Sequence, residues 1–333
     1  MMTNRERLHC VFNREKPDRL PMIEWACWWD LTIERWRSDG IDPALGWDDF
    51  APYYGLDEHR QYLVRALGLE APEPEFEGAG IITNEEDYER VKPFLYPEYG
   101  VKRFADGINA LKPRYLKGEM PIWMSLEGFF WFPRVLFGIE NHLFSFYDYP
   151  DLIHRINEDL LNYNIKMIHE FCDVLKPDFM TLLEDMSYNH GPMLSKELFD
   201  EFLRPYYLRL TKELRQCGIT SIVDSDGNVE SMIPWLEDVG IDGILPLERQ
   251  AGTEVASIRK NHPNFLMLGG FDKTIMKNGE DAIRAEFERL LPTMRSGGYI
   301  PSVDHQTPPD VSVENYKIYA RLMREYCEKA VTA

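Results

Sequence analysis

Cations are scarce in this 333-residue chain, where 37 lysines and arginines stand against 56 aspartates and glutamates for a formal net charge of −19. Such a balance repels phosphate backbones and anionic headgroups, which argues against nucleic acid or a membrane surface as a partner. A highly anionic substrate is equally hard to hold unless arginines are focused at one place. Cysteine is sparse too. The five cysteines, Cys10, Cys27, Cys172, Cys217 and Cys327, lie far apart with no CxxC pair, so the spacing spells neither a disulfide framework nor a sulfur-rich zinc site. Reduced thiols are the expectation. The first seven residues lack the apolar core of a leader, and no uninterrupted apolar run approaches a membrane span, so a cytoplasmic protein is expected. No GxGxxG follows an early strand, which removes the strongest mark of a dinucleotide fold.

What the chain does have is a rhythm. Thr3 with Glu6 three positions on has the form of a capping box, opening a short helix over residues 3–13. A turn at Lys16-Pro17-Asp18-Arg19 leads into an apolar segment, residues 20–29, taken as the first strand, and residues 30–39 suit a helix. Residues 40–118, rich in tyrosine and in Pro/Glu pieces, read as an excursion or lid. From residue 119, apolar strands at 121–126, 178–183, 219–223, 241–247, 265–269 and 298–303 alternate with amphipathic helices near 133–147, 150–175, 196–217, 229–239, 252–261, 280–296 and 313–329. Parallel neighbours need crossovers, and crossovers are normally helical. The pattern predicts one domain over 1–333, an α/β (β/α)8 TIM barrel with an N-terminal excursion.

In such a barrel the carboxyl ends of the strands share one mouth, where chemistry is expected. The residues there are Glu24 with Trp25, Trp28 and Trp29; Glu127 with Trp131; Glu184 and Asp185; Asp224 and Asp226; Glu248; Asp272; and Asp304 with His305. Acids at strand ends also serve as helix caps, and Asp226, Glu248 and Asp272 fit that reading equally well. Asp224 ends the run Ile222-Val223-Asp224 before a Gly-Asn turn, so strand alternation points it into the barrel top or into the helix layer. Glu184, Asp224 and His305 would make an oxygen-rich metal site for zinc, manganese or magnesium, with Asp226 or Glu248 beside it. The same acids could instead bind substrate hydroxyls or one another. The tryptophans are either core or the flat wall of an aromatic or macrocyclic ligand site.

Several segments together resemble the uroporphyrinogen decarboxylase superfamily: Asn4-Arg5-Glu6-Arg7 with Arg14 through Pro21, Asp224-Ser225-Asp226-Gly227-Asn228, Gly240-Ile241-Asp242-Gly243-Ile244 with Leu247-Glu248, Gly269-Gly270-Phe271-Asp272-Lys273, and Gly297 through Tyr316. The resemblance implies a (β/α)8 barrel and two activities. True decarboxylases hold a porphyrinogen's carboxylates with arginines of a Gln-Ala-Gly-Arg segment; the matching stretch here, Glu24-Trp25-Ala26-Cys27-Trp28-Trp29, has none. Corrinoid-linked methyltransferases of the superfamily hold zinc with a histidine and two cysteines, and the matching positions here are Asp224, Asp226 and His305. That exchange implies a harder Lewis acid, suited to a methyl ether. The expectation is a methyltransferase that demethylates an O-methyl substrate, such as a methoxylated aromatic, and passes the methyl to a separate corrinoid (cobalamin) protein. Asp224, Asp226, Glu184 and His305 would be catalytic; Glu24, Trp25, Trp28, Trp131 and Glu248 would bind substrate; zinc would sit on Glu184, Asp224 and His305. A decarboxylase of a tetrapyrrole or smaller acid, or a non-enzymatic tetrapyrrole- or corrinoid-binding protein, are the alternatives.

Overall fold

The computed structural model describes residues 1–26 and 28–332. Helix α1 (Asn4–Phe12) opens the chain, with Thr3 and Glu6 exchanging the two bonds of a capping box. The expected first strand differs. Residues 20–26 join no ladder, and Cys27 lies outside the described residues. Side chains take amides that a neighbouring strand would need: Met22 N donates to the Asp57 carboxylate (2.9 Å) and Trp25 N to Ser302 Oγ (3.3 Å).

Helices α2 (Asp30–Ser38) and α3 (Trp47–Tyr54) follow, then β1 (Arg60–Val64). That strand lies within residues 40–118, so the excursion also carries a strand of the sheet: its Arg-Gln-Tyr-Leu-Val pairs in register with β2 (Ile122–Glu127). Helices α4 (Glu85–Val91) and α5 (Ala105–Leu116) lie between them. The alternation then runs α6 (Trp131–Phe137), α7 (Ile139–Asp148), α8 (Pro150–Val174), β3 (Phe179–Leu183), a small hairpin of β4 (Ser187–Tyr188) and β5 (Gly191–Pro192), α9 (Lys196–Phe202) and α10 (Arg204–Cys217). It continues through β6 (Thr220–Asp224), α11 (Ile233–Asp238), β7 (Gly243–Leu245), α12 (Val255–Asn261), β8 (Leu266–Phe271), α13 (Glu280–Met294), β9 (Tyr299–Val303) and α14 (Val313–Lys329).

Seven strands form one parallel sheet in the order β1-β2-β3-β6-β7-β8-β9. Its two edges are brought together by residues 20–26: the Met22 carbonyl accepts from Asp57 N just before β1 (3.0 Å), while the Trp25 indole donates to the Val303 carbonyl on β9 (2.7 Å). Three residues of chain span only about 10 Å, so the sheet must curl, and the architecture is TIM-barrel-like.

Strands β2, β8 and β9 are buried at every position, as expected where helices cover one face and the barrel interior the other. Helix α14 presents Tyr316, Tyr319, Met323 and Tyr326, spaced three or four residues apart around the core-facing stripe, and all four are fully buried. Trp36, also fully buried, packs against Tyr316 at 4.8 Å between ring centroids. Among the described residues no helix is long and apolar enough to cross a membrane.

Candidate active site at the barrel mouth

Strand β6 delivers Asp224 at its carboxyl end, and the chain then turns through Ser225, Asp226 and Gly227. The turn requires glycine: Gly227 has φ +85°, and a Cβ there would lie 2.6 Å from the Tyr188 backbone. Its amide donates to Glu248 Oε2 at 2.9 Å, which fixes the residue after Asp226. Neighbouring β3 ends in Leu183, and Glu184 and Asp185 follow at the same height, their amides 2.9 and 3.4 Å from the Asp224 carbonyl. Asp185 sits at φ +39°, a left-handed conformation that a short polar side chain tolerates best.

These turns bring one oxygen each of Asp185, Asp224 and Asp226 within 4.8 Å of one another. All three line a cavity of about 350 Å³ that Trp25, Trp131 and His305 also line. Its lining includes no lysine or arginine among the described residues. Asp224 accepts no side-chain hydrogen bond from any described residue, and burial, then the charges of Asp185 and Asp226, push its pKa well above the ordinary range. Burial, followed by Asp226, lifts Asp185 to about 6. Asp226 in turn stands 3.5 Å from His305 Nε2 and raises the imidazole's pKa. The edge of His305 meets Trp25 at 6.4 Å between centroids. The set can hold a proton, or a cation, most readily at Asp224, whose carboxylate no described side chain meets.

Other residues expected at this mouth have different work. Glu184 is not part of the cluster. Its carboxylate is fully buried and accepts from the amides of Phe129 (2.9 Å), Phe130 (2.8 Å) and Trp131 (3.1 Å) and from the Tyr207 hydroxyl. Gly128 makes room, since a Cβ there would lie 2.1 Å from the Glu184 carboxyl carbon. Glu184 therefore fastens the turn that presents Trp131, and its neighbour Asp185 faces the cavity in its place. The set of Glu184, Asp224 and His305 is therefore not brought together: the Glu184 carboxylate is taken up by backbone amides, and Asp185 stands beside Asp224 instead.

Glu24 likewise turns away, accepting from Ser302 Oγ (2.5 Å), Val303 N (3.3 Å) and the hydroxyls of Tyr316 (3.3 Å) and Tyr319 (3.0 Å). Trp28 packs on Phe50 (5.4 Å) and Tyr316 (6.1 Å) and borders an adjoining cavity of about 460 Å³, not the acidic one. Glu248 supports the Gly227 turn and lies 3.9 Å from Lys273 Nζ. Asp272 caps the turn after β8 by accepting from Thr274 N at 2.9 Å. Asp304 accepts from the amides of Arg249 (3.0 Å) and Lys273 (3.2 Å). Trp25, Trp131, Asp224, Asp226 and His305 thus share the cavity, together with Asp185.

A divalent metal is compatible with these residues on chemical grounds. Three carboxylates and an imidazole offer hard and borderline donors, and the uncompensated Asp224 carboxylate gains most from a cation.

The uroporphyrinogen decarboxylase (URO-D) family matches this chain over residues 65–326. No curated relative matches the sequence. Among solved structures, a methyltransferase from Methanosarcina mazei aligns over 98% of this chain and 99% of its own at 16% identity, with a TM-score of 0.66. The two share the fold. A candidate vitamin-B12 independent methionine synthase from Listeria monocytogenes gives a looser likeness, with a TM-score of 0.47 at 10% identity over 94% of this chain and 98% of that one.

Proposed function

This chain belongs to the uroporphyrinogen decarboxylase family, and within it we propose a methyltransferase that removes the methyl group of a small O-methyl compound, a methoxylated aromatic being the best fit, for delivery to a corrinoid protein. The observation that carries this reading is the cluster of Asp185, Asp224 and Asp226 with His305 in a cavity bordered by Trp25 and Trp131 and free of arginine and lysine. An octa-anionic porphyrinogen would meet acids at every turn. A neutral ring is at home there, and about 350 Å³ is at the small end of ligand pockets. We read the fold as a (β/α)8 barrel over 1–333 in which residues 20–26 stand at the eighth strand's place.

In this mechanism Trp25 and Trp131 orient the ring so that its ether oxygen faces the acids and its methyl carbon faces outward. The methyl–oxygen bond breaks with its electron pair left on oxygen. His305, whose protonated form Asp226 favours, can donate a proton to that oxygen, and Asp224, whose neutral form burial favours, can do the same when no cation is bound. A zinc or similar cation on Asp185, Asp224 and Asp226 would supply Lewis acidity to the same leaving oxygen. A reduced cobalt corrin carried by the partner protein would supply the methyl acceptor.

The raised pKa of Asp224 also favours a second reading, a decarboxylase of a small acid in which this carboxyl hands over the proton that replaces carbon dioxide. One assay separates the two. Purified protein is offered a panel of methoxylated aromatics with a reduced corrinoid protein, and methylation of the corrinoid is followed spectroscopically beside carbon dioxide release. Methyl transfer lost in Asp224→Asn supports the proposal. Carbon dioxide release without methylation replaces it with the second reading.

A further inference from the structure

Far from the mouth, on the outer helix layer, α8 and α10 run side by side and place four donor groups together. His169 and Cys172 are three residues apart on α8, and Glu213 and Cys217 are four apart on α10, so each pair shares one helix face. His169 Nε2 stands 3.0 Å from Glu213 Oε1. Ligand atoms of His169, Glu213 and Cys217 all lie within 4.8 Å of one another. Cys172 adjoins them: burial and the neighbouring Cys217 thiol raise its pKa to about 11.

We propose that α8 and α10 hold a divalent metal of their own, zinc by its donors, between His169, Glu213 and Cys217, with Cys172 as the fourth ligand. An imidazole nitrogen, a carboxylate oxygen and two thiolate sulfurs are the donors zinc takes in tetrahedral sites, where neighbouring ligand atoms sit about 3.5 Å apart. The ligand atoms of His169, Glu213 and Cys217 are already within 4.8 Å of one another, and Cys172 closes in from beside Cys217. His169 is exposed, which gives the ion a way in, and binding displaces the thiol protons to solvent. The site would clamp two helices of the outer layer, and it is independent of methyl transfer. Its sulfur sets it apart from the oxygen-rich mouth.

Cobalt(II) tests the assignment. The full chain, reduced and stripped of metal, is titrated with cobalt(II) while thiolate-to-cobalt charge transfer is followed in the near ultraviolet. The expected result is a saturable band in the native protein, lost together with one equivalent of metal in Cys217→Ser, weakened in His169→Ala at its exposed position, and retained in Asp224→Asn. No band in the native protein, or a band that survives Cys217→Ser, overturns the proposal. So does a Cys172–Cys217 disulfide in the isolated protein whose reduction restores no cobalt band.

Discussion

The acids behind the barrel mouth and those inside it make an instructive pair. Behind the mouth, Glu184 and Glu24 are fully buried, and burial pushes each to about 7. Each is nevertheless met by four donors: three amides and a tyrosine for Glu184, a serine, an amide and two tyrosines for Glu24. Inside the mouth, Asp224 meets no side-chain donor among the described residues and faces two further carboxylates. The same residue chemistry serves as a fastener where donors converge and as a reactive group where they do not. The difference lies in the donors that surround each carboxylate, and the mouth acids are also the less deeply buried of the two groups.

Substitution at the mouth should separate the two kinds of acid by the widest margin. Asp224→Asn should lower kcat for methyl transfer by about 10²–10⁴-fold while leaving the thermal midpoint intact or higher, because it removes an acid the fold does not need. Glu184→Ala should do the reverse. It leaves three amides and the Tyr207 hydroxyl unpaired inside the protein, so unfolding by denaturant should show a loss of about 3 kcal/mol or more. If Asp224→Asn unfolded the protein while Glu184→Ala removed only activity, the two roles would be exchanged.

The tryptophans sharpen the same contrast. Trp131→Ala should raise KM for a methoxylated aromatic by about 10-fold with modest change in stability, since it removes ring contact at the cavity. Trp28→Ala, in the packing against Phe50 and Tyr316, should cost about 3–5 kcal/mol of stability with KM little changed.

Much of the architecture was legible in the order of residues. The parallel-sheet strands β2, β3, β6, β7, β8 and β9 fall within a few residues of the apolar runs that predict them, because parallel strands buried on both faces read as continuous apolar stretches, whereas the short hairpin of β4 and β5 has no such run. The amino-terminal part was harder. Strand β1 is Arg-Gln-Tyr-Leu-Val, too polar at its start to stand out, and residues 20–26 look like a strand but bond to the side chains of Asp57 and Ser302. Asp224, Asp226 and His305 were visible as carboxylates and imidazole at strand ends. Glu184 and Asp185 stand side by side in the sequence after β3, and nothing in the order of residues foresees the left-handed backbone at Asp185 or says which of the two faces the cavity. The one local signal was Gly128, whose missing side chain leaves the space that Glu184 fills.

The smallest effect concerns pH. Asp185 has a folded pKa of about 6, above its ordinary value, so its protonated form is tolerated below about pH 4 and its ionised form destabilises the metal-free fold as pH rises through 6. Asp185→Asn in chelator should therefore gain about 1–2 kcal/mol at pH 7–8, after allowance for solvent contact, and nothing near pH 4. Thermal melts across that range check the sign, and a gain that grew towards acid pH would contradict it.

Zinc equivalents per chain, compared between Cys217→Ser and Cys217→Ser with Asp224→Asn, test most directly whether the mouth acids act together on a cation. Close to one equivalent is expected in the first protein and none in the second, with both folded. Equal metal content in the two would contradict this expectation and leave the carboxylates with proton chemistry alone.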